Sequence, residues 1–297
     1  MNNNSSTEAR KGLGYALVCY AFWGLFPIYW YPINQSPISA EQVMAHRVLW
    51  SAVFCLSLLL WFKQGGVVWQ SFRQPKLLAT FMLSSILIGI NWLVYLWAIN
   101  NHHVLDASLG YFINPLFNIL LGFVFFREKL NIWQIWAVVL ALIGIVWLAF
   151  PAGQIPWVSL LLAFSFGTYA LVRKTAPVDA LPGLALETLL LLPLALVYLI
   201  WCGIQNNLVW TELNALQMAV MLGSGAATTI PLVLFAASAR RISLSLLGVL
   251  QYLSPTLQML CGVWLFNEAL NGSRLTGFMW VWAGVVVFLF GAWRNTR

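Results

Sequence analysis

Read from one end, the chain alternates long apolar runs with short polar breaks. A hydrocarbon core of about 30 Å is crossed by about 20 apolar residues in helix. Ten runs meet that length, at residues 12–31, 43–62, 77–99, 105–126, 131–150, 155–173, 182–202, 214–238, 244–266 and 275–293. The longest breaks, Lys63 to Lys76 and Gly203 to Leu213, hold too little apolar material to fold alone. The pattern predicts an all-α integral membrane protein of ten transmembrane helices with no separate soluble domain. Composition points the same way: 61% of residues are hydrophobic, 8% are charged and the mean hydropathy is +0.83, a balance outside that of water-soluble domains. Aromatic residues such as Trp30, Tyr31, Trp61, Trp69, Trp133, Trp157, Trp201, Trp210 and Trp293 lie near the ends of the runs, where aromatic belts form.

Orientation follows from Lys and Arg in the breaks, because cytoplasmic loops keep positive charge. With the amino terminus inside, Arg10, Lys11, Lys63, Arg73, Lys76, Arg127, Lys129, Arg173, Lys174, Arg240, Arg241, Arg294 and Arg297 fall on the cytoplasmic side. The outer side keeps Arg274 and Arg47, together with Glu41, Asp106, Glu212 and Glu268. Both termini are therefore expected in the cytoplasm. The net charge of +7 comes in ones and twos beside apolar runs, without the continuous basic stripe of a nucleic-acid binder. The start, Met1 to Lys11, lacks the pattern of a secretory signal, so the first helix is expected to be retained. Cys19, Cys55, Cys202 and Cys261 sit in separate runs without metal-like spacing, and His102, His103 and Asp106 lack a fourth ligand. No metal or cofactor is expected.

An internal repeat organises the chain. A shift of 140 residues lays Pro115–Asn131 on Pro255–Asn271 with seven of 17 positions identical: Pro115/Pro255, Leu120/Leu260, Gly122/Gly262, Phe126/Phe266, Glu128/Glu268, Leu130/Leu270 and Asn131/Asn271. Composition alone gives roughly one or two. The same shift pairs Ser84 with Ser224, Trp61 with Trp201 and Gly144 with Gly284, and a nearby one pairs Gly24 with Gly167. The reading is a cytoplasmic tail at 1–11, a five-helix repeat at 12–150 and a second at 151–297 with a short terminal tail. Five is odd, so the second copy enters the bilayer from the opposite side. Inverted repeats of this kind characterise alternating-access carriers, whose substrate sits near the midplane between the halves.

The polar residues inside the runs locate the candidate site. Ala107, Tyr111, Asn114, Asn118 and Gly122 recur every three or four residues on one helical face, and their repeat partners are Leu247, Gln251, Ser254, Gln258 and Gly262. Amides facing lipid would be stranded, so these faces are expected to look into the bundle, as interhelical hydrogen bonds or a wet cavity. Pro115, Pro255 and Pro231 each lack an amide hydrogen and free the carbonyls of Tyr111, Gln251 and Ala227. Asn91 and Tyr95 add an amide and a phenol, while Trp92 is rotated away and is expected to pack. Arg47 lies shallow in the second span, for substrate contact or gating, while its repeat partner Glu187 lies near the other face, too far for a direct pair. His46 is read as solvated, and Glu128 and Glu268 as acids favouring the starts of the helices that follow them.

Several stretches resemble a known family: Ala45-His46-Arg47-Val48-Leu49-Trp50-Ser51, residues 91–100, 107–121, 164–174 and 251–256. They are similar to the drug/metabolite transporter superfamily with paired EamA domains, and within it to the RarD-like subgroup, over nearly the whole length. The resemblance implies a ten-helix export-type carrier with a central cavity drawn from both halves, and a subgroup label of chloramphenicol sensitivity. Related small multidrug carriers use a buried glutamate in the first helix for proton coupling, and Gly12–Tyr31 has no acid.

The expected function is a bacterial inner-membrane transporter or facilitative exporter of a small amphipathic metabolite or drug-like molecule, uncharged or zwitterionic. Asn91, Tyr95, Tyr111, Asn114, Asn118, Gln251, Ser254 and Gln258 are the candidate binding residues, with Trp23, Tyr169 and Tyr252 as stacking walls. Arg47, Pro115, Pro255 and Pro231 are the candidates for gating. A non-transporting structural or sensory membrane protein and a lipid-modifying membrane enzyme are the alternatives. No acid/base constellation lies at one membrane depth to favour the enzyme. Partners are a small molecule and the bilayer, with monomer and homodimer both open.

Overall fold

The computed structural model describes residues 3–100, 104–149, 157–265 and 272–294. Within them the chain forms thirteen α-helices: α1 Asn3–Gly24, α2 Phe26–Trp30, α3 Ala40–Trp61, α4 Gly65–Phe72, α5 Pro75–Asn100, α6 Val104–Phe126, α7 Ile132–Ala149, α8 Trp157–Thr175, α9 Ala180–Ile204, α10 Ala215–Ala239, α11 Leu244–Gln251, α12 Leu253–Leu265 and α13 Gly272–Arg294. Among the described residues eight spans, one of them joining α11 and α12, are long and apolar enough to cross a membrane, and the α1–α2 pair, bent by 41°, adds a ninth. The sixth expected span, α8, falls short of that standard because Ser159, Ser165, Thr168, Arg173 and Lys174 interrupt its apolar face.

Side chains set the helix limits. Ser39 accepts from the Gln42 amide at the start of α3, and Asn214 and Gln217 form a reciprocal cap on α10. Asn131 and Gln134 make the same exchange at α7, with 3.0 and 2.9 Å bonds. Lys63, Arg127 and Asn206 turn the chain at positive φ after α3, α6 and α9. The break after Gly24 has Pro27 just inside α2, and the break at Tyr252 has Pro255 in the first turn of α12, where a missing amide hydrogen costs nothing. α6 and α10 run unbroken through Pro115 and Pro231.

Two polar breaks hold more structure than their composition suggested. Residues 65–72 form α4, which buries Val68 and Ser71 while Trp69 lies outside with the Arg73 guanidinium 5.0 Å from its ring. Between α9 and α10, Val209–Glu212 forms a 3-10 turn whose Trp210 ring lies 4.9 Å from His46. His46 is thus buried rather than solvated.

Helices α3, α9 and α10 pack together, α8 fills the angle between α5 and α6, and α1 runs along α10 and α12. Only 22% to 50% of each span is buried inside the protein. Large apolar side chains such as Leu60, Trp61, Leu194, Ile204 and Trp264 face outward, an arrangement stable only when lipid covers it.

Close helix contacts recur at matched positions. A Cβ on Gly144 would lie 2.8 Å from the Gly277 carbonyl oxygen, and one on Gly284 would lie 2.7 Å from that of Ala137. Residues 144 and 284, like 137 and 277, are 140 apart. Gly24 of α1 packs on Leu257 of α12, and Gly167 of α8 packs on Phe117 of α6, again at corresponding positions. Such small residues let helix backbones approach where no hydrophobic effect drives association.

Candidate functional site

The cavity between the helices has a volume of about 810 Å³, within the range of small-molecule sites. One wall is aromatic: Trp23 of α1, Phe26 of α2 and Phe166 of α8, with Trp23 and Phe166 edge to face at 5.6 Å. Asn91, Trp92 and Tyr95 of α5 and Tyr111 and Asn114 of α6 also line the cavity; the two tyrosine rings are 6.0 Å apart. Gln251, Ser254, Pro255, Gln258 and Gly262 of α11 and α12 close a third side, and Thr228 and Leu232 of α10 a fourth. The α2–α3 connection, through Ile33, Asn34, Ser36 and Ile38, lines the remaining end.

The lining amides are tied down by the helices they cross. Asn91 uses its Nδ2 hydrogens on the Leu162 carbonyl and Ser165 Oγ, both at 3.0 Å. Ser254 Oγ donates to the Tyr20 carbonyl at 2.8 Å, and Gln258 Nε2 to the Trp23 carbonyl at 3.1 Å. These bonds hold the side chains fixed; Asn91 is left with its acceptor oxygen, and Gln258 with its oxygen and one amide hydrogen. Asn114 Oδ1 is buried without a partner among the described residues.

Arg47 of α3 is the charged group of the lining. Its guanidinium carbon sits 5.5 Å from the Trp30 ring and 5.2 Å from the Trp92 ring, and Nε donates to Thr228 Oγ1 at 3.2 Å. It lies in the cavity wall instead of snorkelling outward, because α3 begins at Ala40 and carries it a further turn into the bundle. Trp92 therefore does not simply pack: its ring is one jaw of the clamp on Arg47. Trp30, Phe166 and Thr228 join it among lining residues that periodicity did not single out.

Three candidates lie away from this lining. Asn118 is buried one turn below Asn114 and donates to Gln251 Oε1 at 3.1 Å. Tyr252 points to the α6 side, its hydroxyl on the Phe112 carbonyl at 3.2 Å. Tyr169 stands behind Phe166, stacked on Phe235 at 5.9 Å with its hydroxyl 3.2 Å from Glu187. Pro115 and Pro231 are likewise absent from the lining, and the Pro115 carbonyl packs against Gly248 of α11. His102 and His103 lie outside the described residues, as do Glu268 and the side chains of Asp106 and Arg274.

Glu187 accepts hydrogen bonds from Ser84 and Tyr169 and faces Arg173 Nη1 at 3.5 Å, and both charged side chains are essentially inaccessible, at 1% and 2%. Arg173 thus belongs to the buried core, although its position at the end of an apolar run reads as a loop charge. No periodicity marks a residue whose partner lies on another helix.

The end of the bundle away from the α2–α3 connection is closed by ties between helices. Arg127, at φ 52°, turns the chain after α6 so that the Glu128 amide bonds the Gly122 carbonyl at 3.1 Å. The Glu128 carboxylate then accepts from the amides of Leu244 and Ser245, at 2.8 and 2.9 Å, and from Ser245 Oγ. It caps α11 in the other half of the chain, whereas α7, the helix that follows it, is capped by Asn131. Lys174 donates to the Ala239 carbonyl at 2.9 Å, Arg240 pairs with Asp179 at 2.7 Å, and Arg241 with Glu8 at 2.9 Å. Lys11 and then Arg241 hold the Glu8 carboxyl below its ordinary range.

Comparison with known proteins gives this arrangement a family. The profile of the EamA-like transporter family matches residues 10–150. An uncharacterized transporter of Pseudomonas aeruginosa is 43% identical over 99% of this chain and 98% of its own. Proteins named RarD from Salmonella typhimurium and Escherichia coli are 41% and 37% identical over 96% of this chain and 96% of theirs. One solved crystal structure shares the fold at a TM-score of 0.69 and 18% identity, covering 93% of this chain and 96% of its own. The chain therefore belongs to the EamA-like transporter family, among its RarD-like members, and is a multi-pass bacterial membrane transporter.

Proposed function

We propose that this protein is an alternating-access carrier of ten spans, built from inverted repeats at 12–150 and 151–297, that moves a small amphipathic molecule across the bacterial inner membrane. The observation that carries the reading is a cavity lined by both halves, with one end bordered by the α2–α3 connection and the other tied by Glu128, Lys174 and Arg240. Rocking of the halves about this cavity exchanges the open end. The matched contacts of Gly144 with Gly284 and of Gly24 with Gly167 support the two-repeat reading, since equivalent helices then meet equivalent neighbours. In it, α8 is a span whose polar side chains meet neighbouring helices, Ser165 at α5, Arg173 at α9 and Lys174 at α10. Positive charge at the tied end makes that end, and both termini, cytoplasmic, so the conformation described opens outward.

In this reading Asn91, Tyr95, Tyr111, Asn114, Gln251, Ser254 and Gln258 orient the substrate against Trp23 and Phe166. Asn118 acts one layer down by holding Gln251. Pro115 and Pro231 each remove a hydrogen bond from the interior of α6 and α10, and Pro255 starts α12 after the break at Tyr252, so all three are the points about which the helices flex. A thermal-shift screen of the purified protein supplies a binder, and counterflow of that compound in proteoliposomes tests the reading. Saturable counterflow that falls at least several-fold in Asn114→Ala is the expected result. A verified binder with no counterflow would exclude a carrier, and unchanged flux in the variant would remove Asn114 from the path.

A further inference from the structure

The cavity holds a cation and no counter-charge. No Asp or Glu lines it among the described residues. Arg173, Arg240 and Arg241 each face a carboxylate, at 3.5, 2.7 and 2.9 Å, whereas Arg47 makes no ion pair among the described residues. A permanent charge at membrane depth without an acid is a functional group by default.

The clamp on Arg47 fixes what it offers. Trp30 and Trp92 take its aromatic contacts and Thr228 takes Nε. Thr228 takes only Nε, which leaves the terminal Nη edge, the part that grips a carboxylate with two parallel N–H bonds, for a ligand in the cavity that Arg47 lines. Tyr95 and Tyr111 line the same cavity and are near enough to Arg47 to interact with it electrostatically, whereas the Tyr29 hydroxyl is spent on the Val220 carbonyl. Of the amides nearby, Asn91 has committed both hydrogens to α8 and presents its oxygen, whereas Gln251 accepts from Asn118 through Oε1 and Gln258 spends one hydrogen on the Trp23 carbonyl, so these two keep N–H donors. Among the described lining residues only the Arg47 guanidinium carries charge, so it sets where an anion sits. Trp23 and Phe166 then provide a flat apolar surface for the rest of the molecule.

We propose that the ligand is an organic anion with a planar apolar body and a carboxylate seated on Arg47, in place of the uncharged molecule that the amide stripes alone suggest. The proposal rests on the cavity being the substrate site of a carrier.

Indole-3-acetate and indole-3-acetamide separate the charge from the shape, because the two differ little in size. Equilibrium binding of each radiolabelled compound to the full chain in nanodiscs is expected to favour the acetate by about ten-fold or more, the weight of a charge-assisted contact. Arg47→Gln is expected to bring the acetate down to the affinity of the amide, with Arg47→Lys retaining part of the difference. Equal affinities in the wild-type protein, binding of neither compound, or a preference that survives Arg47→Gln would overturn the proposal. If that variant does not fold, phenylglyoxal labelling of wild-type Arg47, read by mass spectrometry, decides instead. Protection by the acetate alone supports the anion site, and equal or absent protection overturns it. Acetate binding without counterflow in proteoliposomes would sink the carrier and leave the anion site standing. Counterflow of the amide as fast as the acetate would do the reverse.

Discussion

Breaking the Arg173–Glu187 pair from one side is expected to destabilise the bundle by about 3–5 kcal/mol, and removing both partners by much less. At the 3.5 Å separation of Nη1 and Oε1, an effective dielectric of about 20 gives an attraction of roughly 5 kcal/mol. Against it stands the desolvation of both groups. That balance is poorly met on the arginine side, where Nε and Nη1 have no hydrogen-bond partner and only Nη2 donates, to the Ala180 carbonyl at 2.9 Å. The pair is therefore close to neutral against well-packed apolar residues, yet each half is costly alone. Arg173→Met leaves a buried carboxylate with Ser84 and Tyr169 as its donors. Glu187→Met leaves a guanidinium lodged against Phe81, 5.5 Å from its ring. Reversible unfolding of the two single variants and the double variant by detergent titration, followed by circular dichroism, measures the coupling, expected at about 4 kcal/mol or more because the two single losses together exceed the smaller loss of the double variant by at least that much. If the two single losses simply add to give the loss of the double variant, the pair is not an interacting unit and the reasoning fails.

Other outcomes follow from the same contacts. Leucine at Gly144 or Gly284 drives a side chain into the facing backbone of α13 or α7, and each change is expected to lower stability by about 1–3 kcal/mol, with similar shifts for the two in thermal melts; a large loss at one site alone would contradict the matched contact. Glu128→Ala uncaps α11 and leaves the Leu244 and Ser245 amides without their acceptor, a loss of about 1–2 kcal/mol. Hydrogen exchange at Leu244 and Ser245 should rise in that variant, while the Leu246 amide keeps its bond to Ser243 Oγ, and unchanged protection at the first two would refute the cap.

The apolar runs located the helices because bilayer thickness fixes their length. Their ends and breaks were less legible. At the bend after Gly24, Pro27 has no amide hydrogen for the Trp23 carbonyl, and the donor that takes its place, Gln258, lies 235 residues away in sequence. Helical spacing put Tyr111 and Asn114 on one face and both line the cavity. The same spacing extended the stripe to Asn118, one turn too deep to reach it. Aromatic residues were harder to place: Tyr169 and Tyr252 lie near the site in sequence but turn toward Glu187 and Phe112, while Trp30 and Trp92 gain their role from a cation on a third helix. Glu128 was legible as a helix cap, but not as the cap of a helix in the other half. Charge at the end of a run gave no means of telling the buried Arg173 from the exposed Arg241, since only the packing of α9 distinguishes them.

The central claim is that the tied end opens while the other closes. Asn114→Cys in a background without the four native cysteines, with Asp179→Cys and Arg240→Cys added on the α9 and α10 ends, tests it most directly. A short bifunctional thiol reagent joins the latter two after Asn114→Cys is shielded by a reversible maleimide-resistant block, which is then removed. An impermeant maleimide is applied from each side of oriented vesicles. The account predicts that the uncrosslinked protein labels at position 114 from both sides, that crosslinking abolishes cytoplasmic labelling while outer labelling persists, and that crosslinking the same pair in a variant that keeps Asn114 abolishes counterflow. Cytoplasmic labelling that continues unchanged after crosslinking, or counterflow that survives it, would contradict the account.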